Sequence, residues 1–165
     1  MIEVKKQIVI NAPVAEVWRV LADEYHRVGE WASSIDHSAI NHEAPVPDGL
    51  EYGGRICSVP GFGDLKESFT NYDADNLTYS YEATDGMPFF VTKAGNTWSL
   101  SKKGEKTVVD MHLIADVNLF PGKLMQAMMK RQFDRQAGEV IEELKYFVEQ
   151  GKPHPRKVKA MQKSA

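Results

Sequence analysis

The chain has a single cysteine, Cys57, in 165 residues. It can form no internal disulfide, and a chain of this length buries enough surface to fold without one. No apolar run approaches the ~20 residues that a membrane-spanning helix needs. The opening Met1-Ile2-Glu3-Val4-Lys5-Lys6 places charges where a secretory leader has an apolar stretch. These absences lead to the expectation of a cytoplasmic protein without stable membrane insertion. Phosphate-cradling glycine loops, Gly-x-Ser-x-Gly and HExxH are all missing, which speaks against nucleotide-dependent, Rossmann and hydrolase chemistry. His26, His37, His42, His112 and His154 show no ligand spacing. No metal and no cofactor are therefore expected, and each histidine reads as a satisfied surface residue. Cys57 has no base beside it in sequence and reads as an inert core thiol.

Acid is also missing, from Gly151 onward, where Lys152, Arg156, Lys157, Lys159 and Lys163 stand unopposed. Removing those five from the 20 Lys and Arg leaves 15 against 23 Asp and Glu, so residues 1–150 carry a net charge of −8. So acidic a body offers no concentrated positive face for phosphates, and no nucleic-acid partner is expected. Pro153, Pro155 and the lack of an apolar pattern predict a basic, disordered tail over 151–165, leaving 1–150 as the folded domain.

Within that domain, Ile2, Val4, Ile8 and Ile10 alternate with Glu3, Lys5 and Gln7, the period of a half-buried strand. Asn11-Ala12-Pro13 stops it, with Asn11 or Ala12 as helix cap and Pro13 near the first turn. Val14, Val17, Trp18 and Leu21 then recur at helical spacing, and Gly29 breaks a second short helical stretch that carries Trp31. From residue 35 to residue 117 short β-like runs are separated by Pro47-Asp48-Gly49, Pro60-Gly61, Asp75-Asn76, Asp85-Gly86 and Lys103-Gly104, the pattern of an antiparallel meander. Leu65, Glu67 and Phe69 share one face of their run, as do Leu77, Tyr79, Tyr81 and Ala83, and Val109, Met111, Leu113, Ala115 and Val117. After Pro121-Gly122 the period turns helical to about Gln150. It sets Leu124, Met125, Met128, Met129, Gln132, Phe133, Gln136, Val140, Ile141, Leu144, Phe147 and Val148 in one broad stripe.

Strand, two short helices, six strands and one long helix make an α+β chain. The simplest burial wraps a curved antiparallel sheet of about seven strands around the long C-terminal helix, with the glycines at 53, 54 and 61 suiting bends or bulges. A sheet that curls around a helix leaves room between them, and an apolar cavity is expected there.

The sequence resembles the birch-allergen/StAR-related lipid-transfer superfamily of helix-grip proteins (SRPBCC), and within it the polyketide cyclase/dehydrase-like branch. The resemblance runs over residues 2–150. Its pieces are Ile8-x-Ile10-x-Ala12-Pro13-x-x-x-Val17-Trp18, Trp31, Gly54 and Arg55 opening a strand, Glu67-x-Phe69, a turn at Asp73 or Asp75, Tyr79-x-Tyr81, Gly86-Met87-Pro88, Trp98 and the terminal helix. It implies the helix-grip fold and no single activity, since such proteins include carriers, receptors and cyclases.

Glu67 is the most informative position, because alternation points it inward and a buried carboxylate is costly unless paired or protonated. It is a candidate acid/base with Arg55 and Tyr79 as companions. Equally, Arg55 and Glu67 can form a structural ion pair that does no chemistry. Val59-Pro60-Gly61-Phe62-Gly63 and Asp85-Gly86-Met87-Pro88-Phe89-Phe90 combine backbone freedom with apolar tips and read as lids over an entrance. Candidate ligand contacts are then Phe62, Met87, Phe89 and Phe90 from the lids, and Phe69, Tyr81, Trp98 and Met111 from inner strand faces. Met125, Met128, Met129, Gln132, Phe133 and Gln136 complete the set from the helix.

Three functions compete. The first is binding of a hydrophobic small molecule, on the scale of a lipid, aromatic polyketide or isoprenoid, with a monomer or weak dimer as carrier. The second is a cofactor-free cyclase or dehydratase using Glu67. The third is a protein-interaction module whose interior is filled.

Overall fold

A computed structural model describes residues 1–118 and 123–164, with side chains throughout except at 123–125. Seven strands form one antiparallel sheet: β1 (Ile2–Ile10), β2 (His37–Ile40), β3 (Gly54–Val59), β4 (Gly63–Asp73), β5 (Thr78–Asp85), β6 (Val91–Lys103) and β7 (Lys106–Val117). Their order is β1-β7-β6-β5-β4-β3-β2, so the meander from β2 to β7 is closed by β1 beside β7. β1 and β2 lie at opposite edges. The chain between them crosses as α1 (Val14–Trp18), a π-helical turn over Arg19–Asp23 and a 3₁₀ turn over Tyr25–Glu30. Pro13, rather than Asn11 or Ala12, caps α1, and the Asn11 amide is donated to Glu149 instead. The long helix α2 spans Lys123–Gln150; Pro121-Gly122, expected to open it, lies outside the described residues. Among the described residues no helix is long and apolar enough to cross a membrane.

The sheet bends where β4 slips register between Lys66 and Glu67 and between Phe69 and Asn71, and where β6 slips between Val91 and Lys93. Gly53 and Gly54 have a different role from the expected bulge. A Cβ on Gly54 would collide with the Glu67 carbonyl, so its lack of a side chain lets β3 lie close against β4. The α2 helix follows the β1 edge. Lys145 donates to the Val9 carbonyl at 2.6 Å, Glu149 accepts from the Asn11 amide at 2.7 Å, and Lys6 pairs with Asp134 at 2.8 Å. Ala137, Ile141, Leu144 and Val148 are buried with Ile2, Val4, Ile10, Trp18, Trp98 and Met111. The first turns of α2 are much less covered, and Met128 faces solvent at 65% exposure.

The segment expected to be disordered is ordered: Pro155–Ser164 forms a helix, α3. Charge, not an apolar stripe, docks it. Arg156 donates to Glu143 at 2.9 Å, and Glu143, wholly buried within α2, also accepts from the Ser33 amide and hydroxyl at 2.8 and 2.7 Å. Lys157, likewise buried, donates to the carbonyls of Ile35 and Asp36. A basic tail without apolar periodicity gives no sign of this, because its partner is a carboxylate hidden inside another helix.

Losing one partner of a buried charge costs about 1–3 kcal/mol while other donors remain. Arg156→Ala is therefore expected to lower stability by about 2 kcal/mol, a fall in Tm of about 4–8 °C. A melting curve by circular dichroism reads this, and an unchanged Tm would show that α3 does not hold Glu143.

Candidate functional site

The space between sheet and helix has two ends. Under α1 and the 3₁₀ turn it is filled by rings: Trp18, Tyr25, Phe69, Tyr72, Tyr79 and Tyr81 interlock, with centroids from 4.6 Å for Tyr25–Phe69 to 6.4 Å for Tyr72–Tyr79. Tyr79 belongs wholly to this cluster and gives its hydroxyl to the Leu21 carbonyl at 2.9 Å. Under the N-terminal half of α2 the rings stop and an apolar cleft of about 290 Å³ opens. Its floor is Leu65, Ala83, Val91 and Ala94 on β4, β5 and β6. Its walls are Val59 and Phe62 from the β3–β4 turn, Gly86, Met87, Pro88 and Phe90 from the β5–β6 loop, and Met129, Gln132, Phe133 and Gln136 from α2. Gly86 joins the two loops. Its φ is +83°, and a Cβ there would run into the Asp64 carbonyl, so only glycine lets the second loop rest on the first.

Seven of the ligand candidates read from sequence meet at this cleft: Phe62, Met87, Phe90, Met129, Gln132, Phe133 and Gln136. Others do not. Phe89 is 97% exposed, its ring edge-on to Phe90. Met128 faces outward, Trp98 and Met111 are buried in the core, and Phe69 and Tyr81 stand in the aromatic cluster. The side chain of Met125 lies outside the described residues. The sequence does not mark the floor residues as ligand contacts although Leu65 and Ala83 alternate inward; alternation alone does not separate packed from open parts of a face.

One step along the sheet from the floor lies a charged pair. Strand register sets Arg55 opposite Glu67, and Arg55 Nε donates to Glu67 Oε2 at 2.5 Å, with side-chain exposures of only 8% and 10%. Tyr25 gives its hydroxyl to the same oxygen at 3.0 Å, and Cys57 Sγ lies 3.9 Å away. Arg55 Nη1 reaches the Tyr25 carbonyl at 3.0 Å, and its guanidinium lies over the rings of Tyr25 at 3.8 Å and Tyr81 at 5.0 Å. Burial opposes the charge on Arg55 more than any single neighbour favours it, but Glu67 together with Tyr25, Cys57 and Tyr81 outweighs it and holds the guanidinium's pKa well above its ordinary value. Burial pushes the Tyr25 phenol up and the Tyr81 phenol to about 12. The ion pair weighed for Arg55 and Glu67 thus forms. Tyr25 is its unanticipated third member, since nothing in a patternless helical stretch marks it. Among the described residues no cluster of His, Cys, Asp and Glu suits a metal. His26 departs from the surface expectation: its ring packs edge-on to Tyr52 with Nδ1 buried and unpartnered.

The chain belongs to the polyketide cyclase/dehydrase and lipid transport family, whose pattern matches residues 1–149. Comparison with curated proteins returns no match. Among solved structures it is similar to a START superfamily protein from Mycobacterium smegmatis, at 18% identity and a TM-score of 0.74, covering 91% of this chain and 99% of that one. It is also similar to the protein XoxI from Bacillus cereus, at 15% identity and a TM-score of 0.69, covering 88% and 94%. A third likeness is the di-domain ARO/CYC BexL from the BE-7585A biosynthetic pathway, at 17% identity and a TM-score of 0.69, covering 90% of this chain and 47% of that one. At such identities these likenesses establish the helix-grip fold.

Breaking a buried ion pair costs about 3–5 kcal/mol, whereas replacing both partners by apolar groups of similar size costs far less. Arg55→Met is expected to lose that much in urea denaturation, and Arg55→Met with Glu67→Leu to recover most of it. A single variant no worse than the double would disprove the pairing. Burial also pushes the Cys57 thiol up to about 12, so roughly 10⁻⁴ of it is thiolate at pH 8. Ellman's reagent should leave Cys57 unmodified in the folded protein and react fully in guanidinium chloride. Prompt reaction of the folded form would contradict the burial.

Proposed function

We propose that this protein holds a small, largely apolar molecule in the cleft between α2 and the sheet. The observation that carries the reading is the lining: aliphatic floor, aromatic and proline lids, and a helix wall of Met129 and Phe133 with two glutamines. A probe that buries ~200 Å² of apolar surface there gains about 5 kcal/mol at ~25 cal/mol per Å², before association costs. Met87 and Met129 give the walls the pliability to fit more than one outline. The fold shared with a START superfamily protein and membership of a family that includes lipid transport support the same reading.

A cyclase or dehydratase would need Glu67 free to exchange a proton with substrate. Its Oε2 is instead engaged by Arg55 and Tyr25, and Tyr79 is engaged by Leu21. These commitments weigh for holding a ligand over transforming it. The filled-interior alternative suits the aromatic end but not the cleft.

N-phenyl-1-naphthylamine, a neutral apolar fluorophore, should bind at one saturable site with a micromolar Kd. Ala94→Phe, which fills the floor, should weaken it at least tenfold without lowering Tm, and native mass spectrometry should show one small molecule per chain. Absence of saturable binding, or an Ala94→Phe protein that binds as well as wild type, would overturn the proposal.

A further inference from the structure

Among the described residues that line the cleft, none is charged and none bears a hydroxyl; its polar side chains are Gln132 and Gln136 alone. The two stand four residues apart on α2, one turn from each other on the same face, and Gln136 is half-buried. The Gln132 amide has a fixed orientation. Arg135 donates Nη2–H to its Oε1 at 2.8 Å, and a guanidinium offers donors only, so the oxygen turns to it and the two N–H groups of Nε2 are left over. None of the described hydrogen bonds engages those N–H groups or the side-chain amide of Gln136. Charge beside the cleft is unfavourable to an anion. The cations next to Leu65 and Ala94 along the floor strands are matched elsewhere, Lys66 by Glu43 at 2.6 Å and Lys93 by Glu82 at 2.9 Å. The chain neighbours of Leu65 and Gly86 on the other side, Asp64 and Asp85, are acids.

We propose that the cleft takes a neutral apolar molecule bearing a carbonyl group, in chemical class a ketone, ester or amide, whose oxygen accepts from the Gln132 amide, with Gln136 as the second donor one turn away. This rests on the cleft being a binding site and adds the ligand's charge state and the chemistry of the end that faces α2. A carboxylate would leave water for a lining that offers no cation, a loss of hydration that nothing there offsets. A hydrocarbon would cover the amide N–H groups without accepting from them. A carbonyl oxygen brings two lone pairs and no charge, which suits a pair of amide donors on an apolar wall.

The test uses three probes on one scaffold, 1-acetonaphthone, 1-ethylnaphthalene and 1-naphthoate, each titrated at neutral pH to displace N-phenyl-1-naphthylamine from the full-length protein. The ketone should bind at least about tenfold tighter than the carboxylate. In the double variant Gln132→Met with Gln136→Met, which keeps the side-chain shape and loses the N–H groups, the ratio of ketone to hydrocarbon affinity should fall at least about threefold, the worth of one modest hydrogen bond. Gln132→Glu, which keeps an acceptor for Arg135 and has no N–H, should lower the ratio likewise. An unchanged ratio in the double variant, whether both probes bind as before or weaken together, overturns the anchor and leaves the cleft standing. A ratio lost in the double variant but kept in Gln132→Glu moves the donor to Gln136 and overturns the role of Gln132. Binding of 1-naphthoate as tight as that of the ketone overturns the neutral ligand and gives its recognition to Arg135. Failure of the wild type to bind the fluorophore removes the cleft as a binding site, and the anchor with it.

Discussion

The arrangement depends on how α2 is tied down. The helix is longer than the sheet face beneath it requires, at about 42 Å for 28 residues, and its attachments are unevenly spread. Lys145 and Glu149 bond to the end of β1 and the turn after it, and Lys6 reaches Asp134 from the middle of β1. Beyond Asp134 toward the N-terminus, Met129 and Phe133 pack against the margin of the core and line the cleft together with the two loops. A helix anchored along one edge strand and released at its other end cannot press flat on a curled sheet. The cleft is the geometric remainder of that anchoring, and Met129 and Phe133 form its wall at the margin of the core.

The same asymmetry explains the chemistry of the two ends. Near the anchored end the chain between β1 and β2 crosses the concave face and brings Trp18 and Tyr25 inward, where the rings of β4 and β5 meet them. Large rings fill a wide gap cheaply, because each buries much area at the cost of few rotatable bonds. The Arg55–Glu67 pair sits where the rings give out, and Tyr25 belongs to both groups. An ion pair so placed is a boundary: apolar packing on one side, an aliphatic cleft on the other. Its desolvation is offset by the guanidinium lying over two aromatic faces and by the Tyr25 hydroxyl and carbonyl.

Element order, the antiparallel meander and the long helix were legible because period two and period 3.6 survive in the sequence wherever one face is buried and the other wet. Leu65-x-Glu67-x-Phe69 and Tyr79-x-Tyr81 pointed inward as alternation requires, and Arg55 met Glu67 because neighbouring strands of a meander oppose their inward residues. Three features were illegible for three different reasons. The α3 helix is held by a buried carboxylate on α2, a pairing that leaves no periodic trace in either segment. Tyr25 enters from a π-helical and 3₁₀ stretch, where neither period applies. The division of the strands' inner faces into packed and open parts follows from where α2 is anchored, which is a property of tertiary contacts and of no single strand.

That division also shows why the inward-facing polar residues differ in what they are free to do. Glu143 and Lys157 are as deeply buried as Glu67 and Asn96, yet each is matched by fixed donors or acceptors from loop, helix and tail. They serve as rivets that tie α2, α3 and the segment around Ser33–Asp36 together. Glu67 and Asn96 stand on the sheet, neither of them lining the cleft, and one oxygen on each has no partner among the described hydrogen bonds. Burial alone marks neither kind; whether every polar atom of the side chain has a fixed partner is what separates them.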